Sequence, residues 1–165
     1  MPRLPALLAA LLTATLAMAA PAMAAETPAT SRGQSVYVPV YSHIWHGNLD
    51  SKGQPQTLQL SSMLSIRNTD PYDGLTVRSV RYYDTAGRLI REYLPQPARL
   101  GPMASTDVFI EHKDDSGGAG ANFVVQWSAE RPISQPIIEV VNAYFFGPHS
   151  LAFTSPGKVI AEEGK

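Results

Sequence analysis

Thr57-Leu58-Gln59-Leu60-Ser61-Ser62-Met63-Leu64-Ser65-Ile66 is the stretch on which the fold turns. Leu58, Leu60, Leu64 and Ile66 fall on one side of an extended chain, and Thr57, Gln59, Ser61 and Ser65 fall on the other. A period of two is the mark of a strand with one face in a core and one in water. A helix would need apolar residues three and four apart. The same kind of segment recurs along the chain. Short runs of β-branched and aromatic residues at 35–45, 56–68, 75–84, 89–94, 106–112, 122–129, 136–146 and 150–154 are punctuated by Gly, Pro, Asn and Asp. Asp84-Thr85-Ala86-Gly87-Arg88 joins two of them through a polar loop whose glycine can take positive φ, which predicts a hairpin.

No segment carries a long, capped 3.6-residue period. Frequent short strands without helices predict an all-β chain, a single antiparallel β-sandwich of immunoglobulin-like type, with a small closed β-barrel as the alternative. Phe123, Val125 and Trp127 alternate with Val124, Gln126 and Ser128, and the run 137–146 is apolar at nearly every position. Both segments read as central strands buried on both faces, with Trp127 plugging the core. Pro39 lacks a ladder donor, so the first strand is expected at a sheet edge or beside a bulge.

The first 24 residues read differently. Arg3 is followed by an apolar run over 4–18 and then by Pro21-Ala22-Met23-Ala24-Ala25. A basic start, an apolar middle and small residues at the exit are what a cleavable signal helix needs, with cleavage between Ala24 and Ala25. A permanent span over residues 4–25 would be barely long enough, but much of it is alanine and threonine and Pro21 closes it. Residues 1–24 are therefore assigned as a signal peptide, 25–34 as a flexible leader and 35–165 as one β-sandwich domain. The expected location is the periplasm, with no stable membrane span after cleavage.

Removing the signal peptide leaves 141 residues, the size of one domain, and takes away one basic residue and no acidic one, so the net charge moves from −1 to −2. The chain has no cysteine, which excludes disulfides, thiol redox chemistry and a cysteine nucleophile. The basic residues are scattered, so no stripe exists to follow a phosphate backbone, and nucleic acid is not an expected partner.

Several phrases are familiar in combination: Val36-Tyr37-Val38-Pro39-Val40-Tyr41-Ser42-His43, Leu64-Ser65-Ile66-Arg67-Asn68-Thr69-Asp70-Pro71, Tyr82-Tyr83-Asp84-Thr85-Ala86-Gly87, Ser116-Gly117-Gly118-Ala119-Gly120-Ala121-Asn122-Phe123 and Phe153-Thr154-Ser155. Together they resemble the bacterial family catalogued as domain of unknown function 3124, over nearly all of the chain after the signal peptide. The resemblance implies a single exported domain. It carries over no activity, ligand or catalytic residue. The run Asn142-Ala143-Tyr144-Phe145-Phe146-Gly147-Pro148-His149 fits that pattern least well.

Four stretches carry residue types that site chemistry uses. Asp114-Asp115-Ser116-Gly117-Gly118 has the look of a serine-protease nucleophile loop, but such a serine needs a histidine base and a carboxylate behind it. Only His43 and His46 precede it, in the wrong context. An exported serine hydrolase using Ser116 with a distant histidine stays as an alternative to a polar loop. The glycines after Ser116 lead into a strand and not a helix, which speaks against a phosphate cradle. His43-Ile44-Trp45-His46 could hold a metal only if bent or joined by His112 or His149, since residues three apart on a strand face opposite ways. A histidine-based metal-binding module is the second alternative. Asn68, Asp70 and Asp73 suggest a calcium loop without its spacing or terminal glutamate, and read better as a turn.

The remaining candidate is aromatic. Tyr37, Tyr41, His43 and Trp45 share the odd-numbered face of the first strand, opposite Val36, Val38, Val40 and Ile44. Aromatic groups with polar tips on an edge strand suit sugars, peptides or a protein partner, and the leading reading is recognition of a protein, peptide or envelope component. The expectation is a non-enzymatic binding or structural protein with no cofactor, no metal site and no catalytic residues.

Overall fold

Alternating residues build strands throughout a computed structural model that describes residues 29–163. Among the described residues there is no helix. The elements are β1 (Thr30–Pro39), β2 (His43–His46), β3 (Gln56–Gln59), β4 (Ser61–Arg67), β5 (Leu75–Tyr83), β6 (Leu89–Glu92), β7 (Ala98–Leu100), β8 (Ser105–Ile110), β9 (Asn122–Ser134), β10 (Ile137–Phe146), β11 (His149–Pro156) and β12 (Lys158–Glu162). The signal helix and the cleavage site expected at Ala24 and Ala25 lie outside the described residues.

One sheet runs β12-β1-β9-β5-β6, with β7 also on β5; a second runs β11-β10-β4-β8; β2 and β3 form a separate ribbon. All pairings are antiparallel. No sheet closes on itself, so the barrel alternative is not realised. Val36, Val38, Val77, Tyr82, Phe123, Val125 and Trp127 from the first sheet and Leu64, Ile66, Ile110, Ile138 and Val140 from the second enter one buried cluster. Leu60, Leu64 and Ile66, picked out by their period, are wholly buried. β9 is the middle strand of its sheet and Trp127 is at its core, as its sequence indicated.

The hairpin at 84–88 is present. Gly87 has φ +77°, and the Asp84 carboxylate accepts from the Ala86 and Arg88 amides and from Arg88 Nε.

Other parts of the chain differ from their sequence reading. Residues 30–34, assigned to a leader, are the first half of β1. Ser31 Oγ and Gln34 Nε2 donate to the Glu162 carboxylate, and a Cβ on Gly33 would lie 2.7 Å from the Trp127 carbonyl. Polar side chains here are held by remote partners and override a weak local preference. Of the two places expected for β1, the edge is not realised, since it lies between β12 and β9, while its ladders do carry irregularities at Ser31/Gly33 and Ser35/Val36. Val40 N donates to the Ala121 carbonyl, so Pro39 and Asn122 form a pair without bonds of its own and the Pro39 nitrogen faces away from β9. The β12 ladder has already ended at Tyr37–Lys158, so the missing donor costs nothing. Finally, 56–68 is broken at Leu60, whose amide bonds to the Ser42 carbonyl.

The turn at 68–73 is held by its own carboxylate. Asp70 accepts from the amides of Tyr72 (2.9 Å), Ser134 (3.0 Å) and Asp73 (2.9 Å). These bonds hold its carboxyl below the ordinary aspartate range, and the Arg88 amide and guanidinium do the same for Asp84. A lowered folded value means stability that is complete above the unfolded-chain value near 3.8 and is lost as pH falls through the folded value. Denaturant midpoints should therefore hold level from pH 7 to about 5 and fall below about 4. Asp70→Asn should flatten that fall, and an acid limb of unchanged slope in this variant would refute the assignment.

Candidate functional site

The β4–β10 ladder ends at the pair Ser61–Ala143. Beyond it β10 continues as Tyr144, Phe145 and Phe146, paired only with Leu151, Ser150 and His149 of β11. On the other side the chain bends away at Leu60 into β3. The aromatic end of the β10–β11 hairpin thus projects past its neighbouring strand, turning through Gly147 (φ +56°) and Pro148. Phe145 is 75% exposed and Phe146 73%. Here the sequence reading is corrected: even between β4 and β11 the strand buries one face only, with Ile138, Val140 and Asn142 inside and Ile137, Glu139, Val141 and Ala143 exposed or half-buried, and past Ala143 its two phenylalanines are open.

A cleft of about 330 Å³ lies at this end, lined by Ser61, His112, Ala143, Tyr144, Phe145 and Phe146. The His112 ring is 6.2 Å from Tyr144, and Tyr144 is 6.5 Å from Phe146. The site offers apolar ring surface with a hydroxyl and an imidazole at its rim. Such a surface can hold an apolar or aromatic group by contact and fix its orientation by one or two hydrogen bonds. It brings together no acid, base and nucleophile.

The four aromatic candidates from the sequence do not form one face. Tyr37 is half-buried in the six-stranded sheet, opposite Lys158 and Val124. After Pro39 the chain leaves that sheet, held by the Ser42 amide on the Gly118 carbonyl. Tyr41 packs edge-on against Phe153, 5.7 Å away, and its amide donates to Asn142 Oδ1. His43 and Trp45 are together on β2, rings 6.3 Å apart, and only Trp45, at 66%, is well exposed. The period broke at Val40–Ser42, which alternation alone does not reveal.

Ser116 is exposed and its hydroxyl donates to Asp114 Oδ1 at 2.5 Å. No histidine among the described residues is hydrogen-bonded to it. The glycines beside it serve packing. A Cβ on Gly117 would collide with the Tyr82 hydroxyl and lie 2.6 Å from Ala121 Cβ, and the Gly117 carbonyl accepts from both the amide and hydroxyl of Thr85. Burial pushes the Tyr82 phenol above its ordinary value, with the Ser42 hydroxyl opposing, so Tyr82 is a neutral structural group. Among the described residues no three His, Asp or Glu side chains gather in a way that could hold a metal ion. His43 and His46 face opposite ways on β2, as their spacing requires.

The family model for a protein of unknown function (DUF3124) matches residues 33–160, and the chain belongs to that family. The aromatic overhang lies within the matched span. Comparison with curated proteins returns no match. Among solved structures the chain is similar to Thermotoga maritima 1070, with 13% identity, a TM-score of 0.43, and coverage of 80% of this chain and 97% of that one.

Proposed function

We propose that this member of the DUF3124 family is an exported, non-enzymatic binding module of the periplasm that recognises a protein, peptide or envelope component. Its scaffold is a two-sheet sandwich of immunoglobulin-like type, a reading supported by the one core that both sheets share. Export rests on the order of Arg3, the apolar run and the small residues around Ala24. Binding rests on one observation above all: Phe145 and Phe146 are held in the open beside Tyr144 and His112, on a hairpin that packing alone does not require to be aromatic. Large rings kept in water on a rigid element are what interfaces use as anchors.

The test is site-specific photo-crosslinking in cells, with a photoreactive phenylalanine analogue at Phe146 and, as control, at Leu89 on the far sheet. A discrete adduct at Phe146, absent at Leu89 and reduced at least about tenfold by Phe145→Ser, is the expected result. Equal labelling at both positions, or none at Phe146, would sink the proposal.

A further inference from the structure

The outer strands of the two larger sheets are not alike. β12 carries Lys158 and Glu162, β6 carries Arg91 and Glu92 in four residues, β7 carries Arg99 in three, and β8 carries Asp107. Charge and shortness are the usual means by which a sheet edge avoids a second chain. β11 has neither. It runs for eight residues, His-Ser-Leu-Ala-Phe-Thr-Ser-Pro, without one Lys, Arg, Asp or Glu.

Its hydrogen-bonding direction is fixed by the ladder. The Gly157 amide donates to the Ile138 carbonyl, so Glu139–Pro156 is a pair without bonds of its own. The bonded pairs with β10 are then Ser155–Val140, Phe153–Asn142, Leu151–Tyr144 and His149–Phe146. Ser150, Ala152 and Thr154 turn their N–H and C=O groups the other way, and all three are exposed. Pro156 obeys the same parity, since its missing N–H would also point outward.

We infer that β11 is a pairing edge for a second copy of this chain, joined antiparallel about a two-fold axis at Ala152. That register is self-complementary. Ala152 meets its own symmetry mate and Ser150 meets Thr154, so every outward donor finds an outward acceptor and each such pair exchanges both of its bonds. Between them, Leu151 lies opposite Phe153 in the closer, non-bonded type of pair, where side chains touch best. No like charges meet at any position. The same operation on β8 centred at Asp107 would set two aspartates face to face. The absence of charge on β11 is what favours a copy of itself, since a basic or acidic partner would find nothing on this strand to read. The two four-stranded sheets become one of eight strands.

The full chain, expressed and purified from cells, should sediment as a dimer at tens of micromolar. Ala152→Pro removes one outward N–H from each copy and leaves the β10 ladder intact, and should raise the dissociation constant at least about tenfold. Ala152→Glu sets like charges opposite each other and should act at least as strongly. Because the chain has no cysteine, Ala152→Cys gives a single thiol, and a short thiol-to-thiol cross-linker should yield covalent dimer, while Phe109→Cys on β8 should not. Circular dichroism on each variant separates loss of pairing from loss of fold. A monomer at all concentrations, a dimer indifferent to both Ala152→Pro and Ala152→Glu, or cross-linking through Phe109→Cys alone would overturn the inference. So would capture of a different chain at Ala152→Cys in place of its own mate.

Discussion

Trp127→Ala is expected to lower folding stability by about 3–5 kcal/mol, the range for removing a large aromatic from a closed core. Trp127 is wholly buried, paired with Gln34 on one side and Val77 on the other, at the middle of the middle strand. Its indole N–H meets no acceptor among the described residues. The loss is therefore one of packing and transfer, with no hydrogen bond in it, and Trp127→Phe should recover more than half. Trp45→Ala, at an exposed position on the β2–β3 ribbon, should change stability by no more than about 0.5 kcal/mol. Urea unfolding followed by circular dichroism decides the matter. Similar losses for the two tryptophans would contradict the burial described.

The second large effect is expected at Asn142, where the core is polar. This side chain is fully buried, its Oδ1 accepts from Ser62 Oγ at 2.9 Å and the Tyr41 amide at 3.2 Å, and its Nδ2 donates to Ser155 Oγ at 3.1 Å. Leucine is close in shape but would strand a backbone amide and two hydroxyls. Each buried group left unpaired costs about 1–3 kcal/mol, and the hydroxyls can turn to other acceptors, so Asn142→Leu should cost about 2–4 kcal/mol. Ser62→Ala in the same chain should add less than its own separate cost, because both changes break one bond. Strict additivity of the pair, or a loss under about 1 kcal/mol for Asn142→Leu, would show that the network does not hold Tyr41 to the second sheet.

What could be read from the sequence was local. Leu64 and Ile66 declared their strand by alternation, Gly87 declared its hairpin, and Phe123, Val125 and Trp127 declared the central strand, because each pattern is complete within a few residues. What could not be read depended on partners far along the chain. Thr30–Gln34 looks like a leader until Glu162 and the Trp127 carbonyl are placed beside it. Phe145 and Phe146 look like core until β4 is seen to end at Ser61. Tyr37 and Trp45 look like one face until Ser42 turns the chain out of the sheet. The candidate site was hidden for the same reason. Its signal was three aromatics running into Gly147-Pro148, a two-residue turn that marks a hairpin tip and hence the end of cover.

The pairing of β1 with β12 has a consequence in time. Gln34 and Glu162, 128 positions apart, bond to each other, and β9, the neighbour of β1 on its other side, also comes late. β1, the first strand of the described residues, therefore has no permanent neighbour until most of those residues have been synthesised, and its outer neighbour is the last strand among them. Loop closure over such distances is slow, and contacts this remote give folding rates at the slow end for small domains. A growing chain of this kind stays open for as long as it is growing. Under the export proposed above, late closure is the order of events that keeps an extended thread passable through a translocation channel.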